Sequence, residues 1–370
     1  MKKMIFTAAL VMASTAAMAQ SGTFTVKANV EGLPDSLVAL SEHKRDTVLV
    51  KKNKFEYVKK VDSPSWIFLG DLQDMKKGFL RGTRVFALPG ESVQLKGKTL
   101  GKASVVGSKF YQEQEVMDKF LDNARADLDS LQSWYYKNVN DANHDSLSKI
   151  KEERETALQK KFVATVCDYA KQHANQECTA LIVDELENYT DKQKFINLLS
   201  DDVKNGRMKA YYQPILDRAK KRAEMEEKAK KVQASGVEAP DFTLKDIKGN
   251  DFSLSSLRGK YVVIDFWGSW CFWCIKGMPK MKEYYEKYKG KFEILGVDCN
   301  DSEAKWKAAV EKHQLPWIHV YNPKGSNVLD KYAVQGFPTK IVVGPDGKIV
   351  KTIVGEDPAF YTLLDEVLSK

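Results

Sequence analysis

Two cysteines separated by two residues are the feature of this sequence best suited to chemistry. Cys271 and Cys274 follow the apolar run 261–267 and precede residues 275–289, where apolar side chains recur at three- and four-residue spacings. This pattern predicts a buried parallel strand, a turn and a helix. A helix N-terminus exposes unpaired N–H groups and a partial positive charge, and both favour an anion. We therefore expect Cys271 to be the attacking thiolate and Cys274, one turn later, to resolve the mixed disulfide.

The same C-x-x-C spacing could equally supply two of the four ligands of a zinc site. Tetrahedral zinc needs two further ligands, but the chain has no second C-x-x-C pair and its five histidines are scattered. We therefore expect no metal site, and no cofactor other than a redox-active disulfide between the two cysteines.

Two other residues have side chains that bear on this chemistry. Asp265 is an acid within the apolar run, where burial raises a carboxyl pKa, so it is a candidate acceptor for the Cys274 proton. The alternative is a carboxylate satisfied by local polar groups. Cys299 ends a second strand predicted to be parallel to the first, and parallel neighbours share an edge. It is either an unpaired thiol or a third catalytic cysteine.

The run 265–274, with Pro279 five residues after the second cysteine, resembles the thioredoxin superfamily. The segment 336–339, Gly-Phe-Pro-Thr, is similar to the loop that carries a cis-proline facing the cysteine pair in that family. The resemblance implies a thioredoxin fold at the C-terminus and thiol–disulfide exchange. It also implies substrate contacts beside the cysteines, for which the candidates are Trp270, Phe272, Trp273, Phe337 and Pro338.

Segments 239–244, 249–260 and 301–322 resemble exported thioredoxin-like reductases of the TlpA/ResA type. The region before them is more loosely similar to the domain that precedes such modules in Bacteroidetes proteins. Two departures stand out. Gly277 occupies a position that usually carries a glutamate, which puts a cytochrome-maturation role in doubt. Phe272 and Trp273 replace the usual proline-containing pair and predict an apolar surface beside the sulfur, suited to an apolar or a protein substrate.

The rest of the chain divides by pattern into further regions. Residues 20–106 show six or seven short alternating runs, which predict a mostly β, sandwich-like domain with antiparallel strands. Residues 107–235 carry helical stripes and predict three to five helices and a linker. The thioredoxin-like domain is expected at 236–370. Cys167 and Cys178, in the helical region, are either a structural disulfide or unpaired buried residues.

The composition of the chain argues against two classes of protein. The chain has 370 residues, 43% apolar and 29% charged, and five cysteines, too few for a disulfide-stapled scaffold. A net charge of +8 without a long basic run disfavours nucleic-acid binding.

Residues 1–19 have a basic start, a short apolar stretch and an Ala-Met-Ala end, which predict a cleavable signal peptide and a periplasmic location. The alternative for this segment is a buried helix.

Together these features predict an exported thiol–disulfide oxidoreductase, with reduction favoured over oxidation by the branch resemblance alone. The expected partners are periplasmic protein thiols and disulfides and a membrane or soluble thiol donor. No transmembrane segment is expected in the mature chain. Two alternatives remain open: a binding or scaffold protein that carries a thioredoxin module, and a thiol peroxidase.

Overall fold

The computed structural model describes residues 22–41, 44–71, 74, 81–140 and 143–369. The predicted signal peptide, 1–19, lies outside these residues. The chain forms two compact units, one ending at Ala219 and one beginning at Lys220. The division into domains at 20–106, 107–235 and 236–370 stays a prediction. Within the described ranges, no helix has the length and apolar character needed to cross a membrane.

The first unit begins with two four-stranded sheets, and the predicted β-rich character is confirmed. Strand order is β4-β1-β7-β8 in one sheet and β3-β2-β5-β6 in the other. Alternate residues of the first strand are buried, as in a strand with one face on a core. The strands are β1 (Thr23–Val30), β2 (Ser36–Ser41), β3 (Lys44–Leu49), β4 (Lys54–Lys60), β5 (Ser65–Asp71), β6 (Gly82–Ala87), β7 (Ser92–Gly97) and β8 (Ser104–Val106).

The prediction of antiparallel pairing is wrong for one pair of strands. Strand β7 runs parallel to β1. The reason is topological: β5 and β6 belong to the other sheet, so the chain leaves the first sheet after β4 and returns to it only at β7.

Helices follow, as the stripes predict. They are α1 (Lys109–Asn138), α2 (His144–Gln172), α3 (Tyr189–Ile196), α4 (Asp201–Asn205) and α5 (Lys209–Val232), with 3-10 helices at Leu100–Lys102 and Glu177–Glu185. Residues of the sheets and of these helices share one hydrophobic core. Cys167 and Cys178 are both buried in it and both unpaired, so of the two alternatives for this pair the structure has the unpaired one.

The second unit is a thioredoxin-like fold, as predicted. A seven-stranded sheet has the order β10-β9-β13-β12-β11-β14-β15. Strand β11 lies between β12, which is parallel to it, and β14, which is antiparallel. The elements are β9 (Thr243–Asp246), β10 (Asp251–Ser253), a 3-10 helix (Leu254–Leu257), β11 (Tyr261–Trp267), α6 (Phe272–Lys287), β12 (Phe292–Cys299), α7 (Glu303–His313), β13 (Ile318–Asn322), α8 (Val328–Tyr332), β14 (Thr339–Val343), β15 (Ile349–Val354) and α9 (Ala359–Leu368).

The pleat of β11 separates two cores. Val263 and Trp267 point into the core that contains both cysteines of the pair. Ile264 and Phe266 point into the core on the other face. Asp265 is two residues from both Val263 and Trp267, so its side chain belongs to the face that carries the cysteines.

Candidate active site

The cysteine pair caps helix α6. Cys271 is the N-cap residue with extended backbone, and its Sγ accepts a hydrogen bond from the Cys274 N–H at 3.2 Å. The two cysteines form a disulfide and are 5% and 4% exposed. In the reduced protein, the same N–H group and the helix N-terminus would face the Cys271 sulfur. Both interactions favour the thiolate over the thiol.

The turn before Cys271 is held by the end of β12 and the residues that follow it. The Ser269 N–H donates to Oδ2 of Asp301 at 2.6 Å, and the Ser269 hydroxyl donates to Oδ1 at 2.7 Å. The Trp270 Nε1–H donates to the Cys299 carbonyl at 3.0 Å. These three bonds fix the approach to the first cysteine. Sequence analysis did not identify the role of Asp301, because its partner, Ser269, is 32 residues away in the sequence.

Gly268 makes the close approach of Trp270 possible. A Cβ at this position would lie 2.5 Å from Trp270 Nε1 and 2.8 Å from the Cys299 oxygen. We predict that Gly268→Ala lowers the free energy of unfolding by about 1–3 kcal/mol, because overpacking forces the indole or the β12 end to move. Urea unfolding measures the change. Gly336→Ala is the matched control, since its Cβ would be in ordinary contact 3.8 Å from Val354. Equal stability of the two variants would contradict this explanation.

The proline loop lies at the same end of the sheet. The Phe337–Pro338 bond is cis, as the family resemblance implies. Thr339 pairs with Phe266 in the antiparallel β11–β14 ladder, so the residues just before Thr339 lie beside the carboxyl end of β11. The rings of Phe337 and Trp270 contact each other edge-to-face at 5.3 Å. The Gly355 N–H donates to the Pro338 carbonyl at 2.8 Å.

Three aromatic side chains beside the disulfide are open to solvent. Trp270 is 52% exposed, Phe272 70% and Trp273 54%. The Phe272 and Trp273 rings meet edge-to-face at 5.5 Å, and the Lys276 ammonium lies 4.8 Å from the Trp273 ring centroid. Large apolar side chains exposed side by side are typical of a surface that binds a partner.

Asp265 is buried beneath this surface. It is 5% exposed, and its Oδ1 has no hydrogen-bond partner among the described residues. Burial raises the pKa of Asp265 to about 6, partly offset by the Lys340 ammonium and reinforced by the Glu356 carboxylate. A carboxyl group with this pKa is largely ionised at neutral pH and is a stronger base than an exposed aspartate.

A buried ion pair next to Asp265 was not anticipated from the sequence. Lys340 is 1% exposed and lies opposite Asp265 in the β11–β14 register. Its ammonium lies 2.8 Å from Oε2 of Glu356. The Tyr361 hydroxyl donates to Oε1 of the same carboxylate at 2.9 Å. The available signal was a lysine directly before the apolar residues 341–343 of a predicted strand.

Two further buried polar residues, Asp298 and His319, lie on the same face of the sheet and were not anticipated from the sequence. Asp298 is fully buried, and burial, reinforced by the nearby Asp301 carboxyl, raises its pKa to about 8. His319 faces Gly296 in the β12–β13 register, and burial lowers the pKa of its imidazole to about 3. His319 is therefore neutral at physiological pH.

Cys299 does not join the cysteine pair. Its side chain lies in the core on the opposite face of the sheet, and its thiol donates to the Val297 carbonyl at 3.4 Å. Cys299 is unpaired, and burial raises the pKa of its thiol. The backbone at the end of β12 lies near the active pair, as expected, because the Cys299 carbonyl accepts the hydrogen bond from Trp270. The Cys299 sulfur does not lie there, because the pleat of the strand turns its side chain to the opposite face.

Within the described ranges, no group of three or more His, Cys, Asp or Glu side chains is arranged to hold a metal ion. The cysteine pair and the buried acid beneath it supply the chemistry of disulfide formation and cleavage, with a nearby group that accepts a proton.

Comparisons with known proteins point the same way. Residues 235–352 match the AhpC/TSA family. The chain is 40% identical over 122 residues to the thiol-disulfide oxidoreductase ResA of Bacillus cereus, a match covering 33% of this chain and 70% of the relative. It is 39% identical over 122 residues to ResA of Bacillus anthracis, with the same coverage of both chains.

Among solved structures, the thioredoxin domain of a thiol-disulfide oxidoreductase from Bacteroides vulgatus is 37% identical. That match covers 36% of this chain and 98% of the other, with a TM-score of 0.35. The names of the two Bacillus relatives support the enzymatic interpretation of the cysteine pair. The chain belongs to the ResA family of thiol-disulfide oxidoreductases.

Proposed function

We propose that this protein is a periplasmic thiol–disulfide reductase that acts on protein disulfides through Cys271 and Cys274. The observation that carries the proposal is the position of the Cys271 sulfur. It caps α6, accepts the Cys274 N–H and lies beside an exposed aromatic surface. A sulfur in this position is favoured as an anion and is next to a surface to which a protein can bind.

The proposed reaction has two exchange steps. The Cys271 thiolate attacks one sulfur of the substrate disulfide, and the other substrate sulfur leaves as a thiolate that takes a proton from water. Cys274 then loses its proton and attacks Cys271, forming the enzyme disulfide and releasing the second substrate sulfur as a thiolate, which is also protonated. Two electrons pass from the enzyme dithiol to the substrate. A thiol donor must then reduce the enzyme disulfide.

In this scheme Asp265 takes the proton of Cys274. It lies on the sheet face that carries both cysteines and has a pKa of about 6. A general base is most effective when its pKa is near the working pH. Since the raised pKa comes mainly from burial, Asp265 combines ionisation at neutral pH with an appreciable proton affinity.

The substrate is proposed to bind as an extended chain across Phe337 and Pro338. Proline has no N–H to donate, whereas the backbone of the preceding residue offers the groups of a strand edge. The edge-to-face contact of Phe337 with Trp270 brings this loop and the aromatic surface together. A protein substrate would therefore contact both at once.

We predict that Phe272→Ala and Trp273→Ala each lower kcat/KM for insulin disulfides by about 5- to 30-fold, as expected for aromatic residues central to an interface. The same variants should change the rate with oxidised glutathione by less than about threefold, because a tripeptide disulfide covers little of this surface. Leu49→Ala, at a 69% exposed apolar residue in the first unit, is the control. Equal losses with both substrates would show that the aromatics do not serve protein binding.

The direction of the exchange reaction and the cellular location of the protein are tested by separate experiments. A reduction potential near that of thioredoxin, about −270 mV, supports reduction of substrates, whereas one near about −120 mV would identify an oxidant. The periplasmic location depends on the predicted signal peptide, residues 1–19. Recovery of the protein in the periplasmic fraction with Gln20 as its first residue supports it, and retention in the cytoplasm would overturn it.

A further inference from the structure

We propose that Glu356 is a positioning residue of the exchange reaction, which acts through Lys340 to set how strongly Asp265 holds a proton. This inference depends on the proposed role of Asp265 as the acceptor of the Cys274 proton. It assigns a function to a carboxylate 82 residues from Cys274 in the sequence, on the turn between β15 and α9.

The first observation is the buried position of the cation that Glu356 binds. Lys340 is 1% exposed and is the cross-strand neighbour of Asp265. Directly opposed residues of antiparallel strands have Cβ atoms about 4.5–5.5 Å apart. A buried ammonium on the side chain of a neighbouring residue favours the carboxylate form of Asp265 unless another anion offsets it. Glu356 is that anion, 2.8 Å from the ammonium.

The second observation is that helix α6 leaves room for this carboxylate. A Cβ on Gly277 would lie 2.5 Å from the carboxyl carbon of Glu356 and would overlap its Oε2. Glycine at this position, three residues after Cys274, therefore admits an acid from another element of the fold. The Tyr361 hydroxyl, which donates to Oε1 of Glu356, also lies 3.4 Å from the Gly277 carbonyl oxygen. Each carboxylate oxygen thus has a fixed partner.

Other titratable groups on this side of the sheet do not supply the charges that Lys340 and Glu356 place near Asp265. Among the described residues, those on the elements packed around Asp265 include His319 on β13, Asp298 on β12, Tyr361 on α9 and the cysteine pair on α6. His319 is neutral and separated from Asp265 by Gly296, and Asp298 has a raised pKa. Burial also raises the pKa of Tyr361, so it stays neutral. The charges that act on Asp265 are those of Lys340, which lowers its pKa, and of Glu356, which raises it less.

These signs give opposite predictions for two variants. Glu356→Gln removes the offsetting charge and leaves Lys340 unpaired, so Asp265 should hold its proton less tightly. The acid limb of the pH profile for mixed-disulfide resolution should then move to lower pH by at least about one unit. The plateau rate should fall about 10-fold, because a weaker base accepts the thiol proton less readily. In Lys340→Met/Glu356→Gln both charges are lost, and the limb should move above its wild-type position.

The experiment is single-turnover resolution of a glutathione mixed disulfide on Cys271 of the full chain, between pH 4 and pH 8. Glu366→Gln, on the exposed face of α9, is the control and should keep the wild-type profile. The double variant removes both members of the Lys340–Glu356 ion pair together, so it decides the question if Glu356→Gln does not fold. A wild-type acid limb in both variants, or a shift in the same direction in both, would overturn the inference. A wild-type protein without Cys271-dependent exchange would instead overturn the proposed function.

Discussion

Cys271→Ser is expected to lower the rate of insulin disulfide reduction by the dithiol protein by at least about 10³-fold. A serine hydroxyl is not ionised at neutral pH, so the helix N-terminus has no anion to stabilise and no nucleophile forms. Losses of this size are usual when a covalent nucleophile is removed. The measurement is turnover with a coupled thiol donor at pH 7, with peroxide consumption followed in parallel to test the thiol peroxidase alternative.

Cys274→Ser should fail in a different way. The first attack remains possible, but the mixed disulfide on Cys271 can no longer be resolved by a neighbouring thiol and should accumulate as a covalent adduct visible by mass spectrometry. Cys299→Ala is the control, because that thiol lies on the opposite face of the sheet, and it should keep turnover within about twofold. Turnover by Cys271→Ser at the wild-type rate, or adducts on a different cysteine, would contradict the assignment.

Asp265→Asn is expected to stabilise the oxidised protein and to slow resolution of the mixed disulfide. The folded pKa of Asp265 lies above its ordinary value of 3.8, at about 6. The folded state therefore binds more protons than the unfolded state between about pH 4 and pH 6, and stability falls as the pH rises through this range. The shift corresponds to a loss of about 3 kcal/mol that is complete above pH 6. An amide, which carries no charge, avoids this loss.

Urea unfolding of the oxidised protein at pH 4 and pH 7.5 measures the effect. Asp265→Asn should gain up to about 3 kcal/mol at pH 7.5 and little at pH 4, where the wild-type carboxyl is already protonated. Resolution of the mixed disulfide at pH 7 should slow by about 10²-fold, as for loss of a general base. The exposed Asp330→Asn is the control. A stability gain that is the same at both pH values would rule out a buried charge at position 265.

Local sequence patterns were sufficient for the elements that carry the cysteines. An apolar, β-branched run followed directly by the pair and by helical periodicity predicts a strand, a turn and a helix, and β11 and α6 are found there. Helical spacing of apolar residues is visible only from residue 275, and α6 begins three residues earlier, at Phe272. The N-cap is Cys271 itself, and a cysteine is not among the usual capping residues that mark a helix start.

The remaining part of the site depends on pairing between distant segments. Lys340 reaches Asp265 only through the register of β11 with β14, and Glu356 reaches Lys340 only through the turn after β15. No local pattern encodes either distance. The parallel pairing of β1 with β7 is non-local in the same way. The side of the sheet taken by Cys299 was within reach of the sequence, because it alternates with Asp298 and shares the face of Val297.

The most direct test of the whole account is the pH dependence of alkylation of Cys271 in the reduced protein. Iodoacetamide labelling of each cysteine is followed by mass spectrometry between pH 5 and pH 9, with the urea-unfolded protein as reference. If the N-terminus of α6 holds a thiolate, labelling of Cys271 should reach half its maximal rate at least about one pH unit below the ordinary cysteine value of about 8.5. Labelling of Cys271 with the same pH dependence as in the unfolded chain would contradict the account.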